Sequence, residues 1–279
     1  MRSLGIDVGV GKGLDVVVLD ERLVPLHVRS HVRVADVSRL IEELGPDVVA
    51  IDSPPRWASS GRSRRTEREL ASLNIQSFNT PSQDHGDGNR FFAWMQVGFE
   101  VFARAAEVGF PTYGAGSPRG RALEVFPHAS AVVLAGALPP KATAKRAWRE
   151  AVLRNQGVRT DDLTSIDRID AALAALTGLM ALDGKRFAPG DPAEGVIVVP
   201  SVTLPATPYK AAIAGPRDAQ PLFAYCACGD MDCDELVQAE FAPGHDAKRK
   251  AMLWARARQG VEALEELSTR GWRLPPEMR

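Results

Sequence analysis

The segment Leu4-Gly5-Ile6-Asp7-Val8-Gly9 decides the start of the fold, because a short apolar run ends there on a carboxylate followed by a glycine turn. This pattern predicts a buried strand over residues 3–8. Residues 14–19 are almost all aliphatic, and residues 24–34 roughly alternate between polar and apolar side chains. Both runs predict strands, each joined to its predecessor by a tight reversal. The chain is therefore expected to begin with three antiparallel strands.

A helix and a returning strand follow. Residues 36–44 place their apolar side chains on one face, and Gly45-Pro46 ends the helix. The apolar run 48–51 then predicts a buried strand parallel to the first one. Further helices are expected near residues 91–108, 142–155 and 167–182, and further strands at 122–126 and 196–199. The predicted fold class is α/β, with a mixed sheet flanked by helices.

The chain length and its proline distribution suggest two parts. The 279 residues are enough for one substantial core and an appendage. Residues 200–221 contain five prolines and few regular patterns, as expected for a long connection. We therefore predict a main domain over residues 1–205 and a C-terminal extension over residues 206–279.

The composition restricts the classes of function. The formal net charge is −1, with 34 basic and 35 acidic residues, so any surface that binds nucleic acid must be local. The 3 cysteines do not suggest a disulfide scaffold. The sequence shows neither a secretory signal nor an apolar stretch long enough to span a bilayer. We expect a cytoplasmic protein without a membrane partner.

Four carboxylates end or begin predicted elements, and they carry the main functional hypothesis. Asp7 and Asp52 end strands, whereas Asp167 and Asp170 begin one helix. If they converge, their oxygen atoms suit Mg²⁺ or Mn²⁺, and such ions can activate a water and stabilise the leaving oxygen of a phosphodiester. Alternatively, Asp7 and Asp52 could belong to turns and Asp167 could cap a helix. Asp170 is harder to explain in this way, because its neighbours are apolar and a buried carboxylate needs a partner.

An ordered series of short motifs resembles the DUF429 family, over roughly residues 3–200. The motifs are Gly5-Ile6-Asp7-Val8-Gly9, Ala50-Ile51-Asp52-Ser53-Pro54-Pro55, the Arg and Glu residues of 64–69, Glu124-Val125-Phe126-Pro127, the basic helix 141–149 and Asp167-Arg168-Ile169-Asp170-Ala171-Ala172. The family is regarded as predicted nucleases of ribonuclease H-like fold, distantly similar to Holliday-junction resolvases of the RuvC type. The resemblance implies that fold, and it implies that Asp7, Asp52, Asp167 and Asp170 occupy the metal-binding positions.

Two basic groups are candidates for binding the substrate phosphates. The first follows the Asp52 strand and contains Arg64, Arg65 and Arg68, together with Arg62. The second recurs every fourth residue, which predicts one helical stripe of Lys141, Lys145 and Arg149. The alternative for each group is an ordinary solvated surface.

Glu124 and His128 are predicted to support the site. Glu124 could be a further ligand or could pair with an arginine, and a supporting role is favoured. His128 follows Pro127 and could transfer a proton, although a single histidine near a strand end is often structural.

The C-terminal extension contains a candidate zinc site. Its ligands would be Cys226, Cys228, Cys233 and His245, which together fill a closed tetrahedral shell. Zinc would stabilise a small unit that has little core of its own. The alternative is that these residues pack without metal.

Three classes of function remain open at this stage. The first is a Mg²⁺- or Mn²⁺-dependent nuclease acting on DNA or RNA. The second is a sugar or nucleotide kinase or ATPase of the actin-like superfamily, which shares the Gly-Ile-Asp-Val-Gly opening, although the chain shows no convincing second copy of the domain. The third is a non-catalytic adaptor whose extension binds nucleic acid or protein. The sequence does not indicate an oligomeric state.

Overall fold

In a computed structural model of the chain, the described residues are 1–140 and 143–211, together with the backbone of two short strands at 223–225 and 237–239. Two compact units form, one of residues 1–139 and 144–210 and the other of residues 140–143 and 211–279. In the second unit, Phe223–Tyr225 pairs antiparallel with Val237–Ala239. Lys141 and the predicted zinc ligands Cys226, Cys228, Cys233 and His245 lie outside the described residues. The roles predicted for them stay predictions.

The first unit is built on a seven-stranded mixed sheet with the strand order β3-β2-β1-β4-β5-β7-β6. Neighbours among β1, β2 and β3 are antiparallel, as are β6 and β7, whereas β1, β4, β5 and β7 run parallel. The strands are β1 (Arg2–Asp7), β2 (Leu14–Asp20), β3 (Pro25–Val32), β4 (Val48–Asp52), β5 (Ala122–Val125), β6 (Gly190–Asp191) and β7 (Gly195–Val198).

Helices cover both faces of this sheet. They are α1 (Val37–Leu44), α2 (Arg65–Ser72), α3 (Gln83–Gly86), α4 (Ala93–Glu107), α5 (Pro127–Ala135), α6 (Lys145–Asn155) and α7 (Ile166–Leu182). On one face, apolar residues of α1 and α4 pack on Leu4 and Ile6 of β1. On the other face, α7 packs on β1, β2 and β4, and α5 and α6 pack on α7. Three antiparallel strands, a helix and then parallel strands form the ribonuclease H-like arrangement, so the predicted fold class is confirmed.

The basic helix begins later than its sequence pattern predicts. Ala144 is the extended N-cap residue, and α6 starts at Lys145. Of the stripe predicted for this helix, Lys145 and Arg149 lie in α6, whereas Lys141 lies outside the described residues.

A close approach of α7 to β1 sets the position of the candidate site. A Cβ atom added at Gly5 would lie 2.0 Å from the carbonyl oxygen of Ala171 and 2.4 Å from the backbone nitrogen of Ala175. Only glycine leaves room for this contact, and the alanines keep the facing surface of α7 flat. Because Asp7 follows Gly5 by two residues on the same face of β1, and Asp170 precedes Ala171, this packing brings the two carboxylates together.

Candidate active site

Three carboxylates meet where β1 and β4 end. Asp7 and Asp52 are paired in register on these parallel strands, so their side chains point to the same face, which α7 covers. Asp170 approaches from the first turns of α7. Carboxylate oxygens of Asp7, Asp52 and Asp170 all lie within 4.8 Å of one another. We call these three residues the acidic cluster.

Asp167, the fourth predicted carboxylate, lies beside this cluster without joining it. Its Oδ2 is 2.6 Å from the ammonium nitrogen of Lys12, in the turn after β1. The N-cap of α7 is Ser165, whose hydroxyl accepts a hydrogen bond from the backbone of Arg168. Asp167 is therefore not the capping residue, and its charge acts on the cluster from one helical turn away. A role in metal binding stays a prediction for this residue.

Each carboxylate of the cluster makes ionisation of its neighbours less favourable. Burial, followed by the charges of Asp170 and Asp167, raises the pKa of Asp7 to about 7. Burial and the charges of Asp7 and Asp170 likewise raise the pKa of Asp52 well above its usual value. Without a further positive charge, the cluster therefore binds protons that isolated aspartates would release.

Two cations of α6 contact only one member of the cluster. The buried guanidinium of Arg149 donates from Nη1 to Oδ1 of Asp170. Lys145 places its ammonium 3.5 Å from Oδ2 of the same carboxylate, while 62 % of its side chain remains exposed. Of the predicted stripe, these two residues are thus brought to the acidic cluster, one as a buried partner and the other at its edge.

The donor set suits a divalent cation. Among the described residues, neither Asp7 nor Asp52 has an ion-pair or hydrogen-bond partner for its side chain. Neighbouring carboxylates that no cation contacts are costly when desolvated. A hard cation with oxygen ligands would contact them directly, and carboxylate oxygens are the ligands that Mg²⁺ and Mn²⁺ prefer.

A second charged group lies beside the first, and all its charges are paired. We call it the arginine triad: Arg64, Glu67 and Glu124. Arg64 donates from Nη1 and Nη2 to Glu124 at 2.7 and 2.5 Å and from Nε to Glu67 at 3.0 Å. Glu67 also accepts hydrogen bonds from the backbone of Arg64 and Thr80. Burial opposes the charge on Arg64, but the carboxylates more than offset this and raise its pKa.

Arg64 and Glu124 therefore form a buried ion pair. Glu124 pairs with an arginine, which is one of the two alternatives that the sequence leaves open. The guanidinium of Arg64 is 1 % exposed, so its donors are directed at protein carboxylates. This geometry favours a structural role for Arg64 over the predicted contact with substrate phosphate.

The other basic residues of this segment lie on the surface. Arg65 is exposed and pairs with Glu69 at 2.6 Å. Arg68 is also exposed and donates to the carbonyl oxygen of Ser63. Neither residue lines the cavity that Asp52 and Asp170 line. Phosphate binding by these two residues stays a prediction that would require substrate to extend beyond the cavity.

His128 is kept neutral by its surroundings. It packs against Phe126 and Trp148, with ring centroids 5.7 and 5.9 Å apart. Burial and the neighbouring charges of Arg149 and Lys145 lower its pKa to about 4. The role of His128 in proton transfer stays a prediction. Its packing against Phe126 and Trp148 also fits a structural role.

Asp52 and Asp170 of the acidic cluster line one cavity of about 360 Å³, together with all three residues of the arginine triad. Three aromatic side chains that contact one another, Phe78, Phe91 and Trp94, also line it. We call these three residues the aromatic wall. Sequence reasoning did not select them. The available signal was Phe91-Phe92-Ala93-Trp94, a dense aromatic run in a chain with 6 % aromatic residues.

No helix among the described residues is both long and apolar enough to cross a membrane.

The comparisons with known proteins concern the first unit. Residues 5–194 match the family described as "Protein of unknown function (DUF429)". Two solved structures are similar: Thermus thermophilus RuvC, at 16% identity and a TM-score of 0.38, and T. thermophilus RuvC in complex with a Holliday junction substrate, at 20% identity and a TM-score of 0.37. Each match covers 66% of this chain, and they cover 97% and 96% of the RuvC chains. A comparison with curated proteins found no significant match.

Proposed function

The chain belongs to the DUF429 family, whose description names no function, and we propose that it is a nuclease that depends on Mg²⁺ or Mn²⁺ and hydrolyses phosphodiester bonds of DNA or RNA. The acidic cluster would be its catalytic centre. A cytoplasmic location remains the expectation from the sequence.

One observation carries this proposal: neither Asp7 nor Asp52 has an ion-pair or hydrogen-bond partner among the described residues, while the carboxylate oxygens of Asp7, Asp52 and Asp170 lie within 4.8 Å of one another. A structural role would be served by pairing these acids with basic residues, as the arginine triad does a short distance away. The cluster instead keeps two carboxylates without any partner among the described residues. Clusters of this kind are typical of sites that hold a cation.

Each residue at the cluster has a role in this proposal. Asp7, Asp52 and Asp170 would hold the cation, which when bound supplies positive charge to the phosphate and lowers the pKa of a water. Arg149 orients Asp170 through its hydrogen bond, in the way that partners of metal-binding carboxylates usually do. The exposed ammonium of Lys145 lies at the edge of the cluster and can attract a phosphate oxygen.

A cleavage panel tests the proposal. Labelled single-stranded DNA, duplex DNA, a branched junction and RNA are incubated with the full chain in Mg²⁺, Mn²⁺ or EDTA. We expect cleavage of at least one substrate with either metal and none with EDTA. Asp7→Asn should abolish the cleavage, whereas Asp161→Asn, a matched change at an exposed aspartate, should leave it intact.

Two outcomes would contradict the proposed nuclease function. Cleavage that persists in Asp7→Asn would show that the activity does not come from the acidic cluster. Absence of metal-dependent cleavage on every substrate, combined with metal-dependent ATP hydrolysis, would instead support the actin-like alternative.

A further inference from the structure

The aromatic wall is the feature of the cavity that the proposed cation chemistry does not use. Phe78 and Phe91 are 62 % and 60 % exposed, more than any other phenylalanine for which the structure describes a side chain. Their ring centroids lie 5.9 Å apart, and the centroid of Phe78 lies 5.8 Å from that of Trp94. The three rings support one another at the mouth of the cavity, and two of them keep most of their surface uncovered. Such a surface is suited to an apolar, planar ligand.

The same cavity also has polar and charged lining residues. Asp52 and Asp170 of the acidic cluster line it, together with Lys145 and Arg149. The cavity therefore offers aromatic faces together with cationic donors beside carboxylates.

A nucleotide unit presents both kinds of surface. Its base is planar and stacks on aromatic side chains, and its phosphate accepts hydrogen bonds from arginine and lysine. A volume of about 360 Å³ is within the range of small-ligand sites. A base that is paired inside a duplex has its faces covered by neighbouring pairs and cannot reach the wall without being extruded.

We propose that the aromatic wall is a stacking site for an unpaired nucleobase, which selects single-stranded or unpaired segments of nucleic acid as the substrate. The inference rests on the proposed function, because it places the adjoining phosphate at the acidic cluster. Phe78, Phe91 and Trp94 are specificity-determining residues in this arrangement, since they contact the base and not the reacting atoms.

A second cavity suggests how the strand continues. It has a volume of about 560 Å³ and is lined by Phe78 and Phe91 from the other side, together with Arg62 and His85. The two phenylalanines thus stand between the acidic cavity and a neighbouring basic one. A strand that stacks one base on the wall would place its next phosphate near Arg62, which is exposed.

Binding without cleavage is the direct test. Fluorescence anisotropy with Ca²⁺ in place of Mg²⁺ would measure the affinity of the full chain for three labelled DNA probes of equal length: a single strand, the same strand with abasic sites, and the duplex. A matched set of RNA probes is run beside them. We expect the single strand to bind about fivefold tighter or better than the abasic strand, because stacking one base gives at least roughly this factor.

Variants of the wall identify the contact. Phe78→Leu combined with Phe91→Leu keeps apolar side chains and removes the aromatic faces. This double variant should bind the single strand about as weakly as it binds the abasic strand, with an unchanged salt dependence because no charge is removed. Phe187→Leu, a change at an exposed phenylalanine that lines neither cavity, is the control. Circular dichroism and thermal unfolding establish that each variant is folded.

The outcomes separate this inference from the proposed nuclease function. Equal affinity for the single and abasic strands in both the DNA and RNA sets would overturn it, as would a double variant that binds like the wild type. If the aromatic wall instead docks another protein, the single and abasic strands should bind with equal affinity, which would also overturn the inference. If base-dependent binding holds and the cleavage panel is negative, only the nuclease proposal fails. If cleavage occurs and binding ignores the bases, only the stacking site fails.

Discussion

Asp52 and Asp170 of the acidic cluster line the same cavity as the arginine triad, yet the buried carboxylates of the two groups are paired differently. In the triad, the guanidinium of Arg64 is directed at two carboxylates, and Glu67 accepts backbone hydrogen bonds as well. Burial raises the pKa of Glu124 in the triad, as it raises those of Asp7 and Asp52 in the cluster, but in the cluster Asp170 alone has cationic partners among the described residues. This difference separates charges that stabilise one another in the fold from the carboxylates that we propose bind a cation.

Removal of the central cation should break the triad. Arg64→Met keeps an apolar stem but leaves Glu67 and Glu124 as unpaired buried carboxylates. We expect the free energy of unfolding to fall by about 3–5 kcal/mol, measured by urea denaturation. Arg65→Met is the matched control, because its exposed pair with Glu69 should contribute no more than about 0.5 kcal/mol. Similar effects of the two changes would contradict the structural role of the triad.

Removal of a charge from the acidic cluster should instead stabilise the metal-free protein. The pKa of Asp7 is raised from 3.8 to about 7, so between these pH values the folded state holds a proton that the unfolded state releases. The stability of the metal-free protein should therefore fall as the pH rises through this range. Asp7→Asn removes this penalty, and near neutral pH it should stabilise the metal-free protein by about 1–4 kcal/mol.

Thermal unfolding in EDTA across this pH range measures the effect as the difference between variant and wild type. That difference isolates Asp7 from other titrating groups. Destabilisation by Asp7→Asn in EDTA would mean that the carboxylate has a stabilising partner, and the cluster would then resemble the triad.

The pKa of His128 tests how the two cations of α6, Lys145 and Arg149, act on a buried group beside the acidic cluster. Its pKa is lowered to about 4 by burial and by Arg149 and Lys145. The unfolded state therefore binds a proton at higher pH than the folded state does, so this residue's contribution to stability is lost as the pH falls from about 6.5 towards 4. An NMR titration of the ring should find His128 still neutral at a pH where exposed histidines are protonated. A titration near 6.5 would show that the two α6 cations do not act on this ring.

Lys145 should give the smallest effect. Lys145→Gln removes an exposed charge next to Asp170, so the fold should keep its stability within about 0.5 kcal/mol. If Lys145 contacts one phosphate, the logarithmic salt dependence of single-strand binding should become shallower by about 0.7. Lys185→Gln, which removes an exposed lysine outside the cavity, should leave this slope unchanged. An unchanged slope in Lys145→Gln would place the lysine on an ordinary solvated surface.

Much of the fold and part of the candidate site could be predicted from short patterns. Asp7 and Asp52 end apolar strands, and parallel pairing brings such ends to one edge of the sheet. Asp170 lies on a largely apolar helix, where a carboxylate needs an explanation. The sequence predicts both Asp167 and Asp170 as metal ligands, although only Asp170 joins the acidic cluster, because their separation depends on the rotation of α7. That rotation is set by the contact of Gly5 with Ala171 and Ala175.

What the sequence does not predict depends on contacts between distant residues. Arg64 lies in a polar stretch and is a candidate for phosphate binding, with a solvated surface as the alternative, whereas in the structure it is buried and pairs with Glu124, 60 residues away. The aromatic wall forms only when the segment of Phe78 meets the start of α4. Local composition does not predict such contacts, whereas strand ends and helix faces follow directly from the residue periods of strands and helices.

Diffraction from crystals of the full chain soaked in Mn²⁺ would show directly whether the acidic cluster is a cation site. We expect an anomalous peak among Asp7, Asp52 and Asp170, about 2.0–2.3 Å from carboxylate oxygens as expected for a hard divalent ion, and loss of this peak in Asp7→Asn. A wild-type map without a peak there at saturating Mn²⁺ would contradict it, and the three carboxylates would then be a charged cluster of the fold without a ligand.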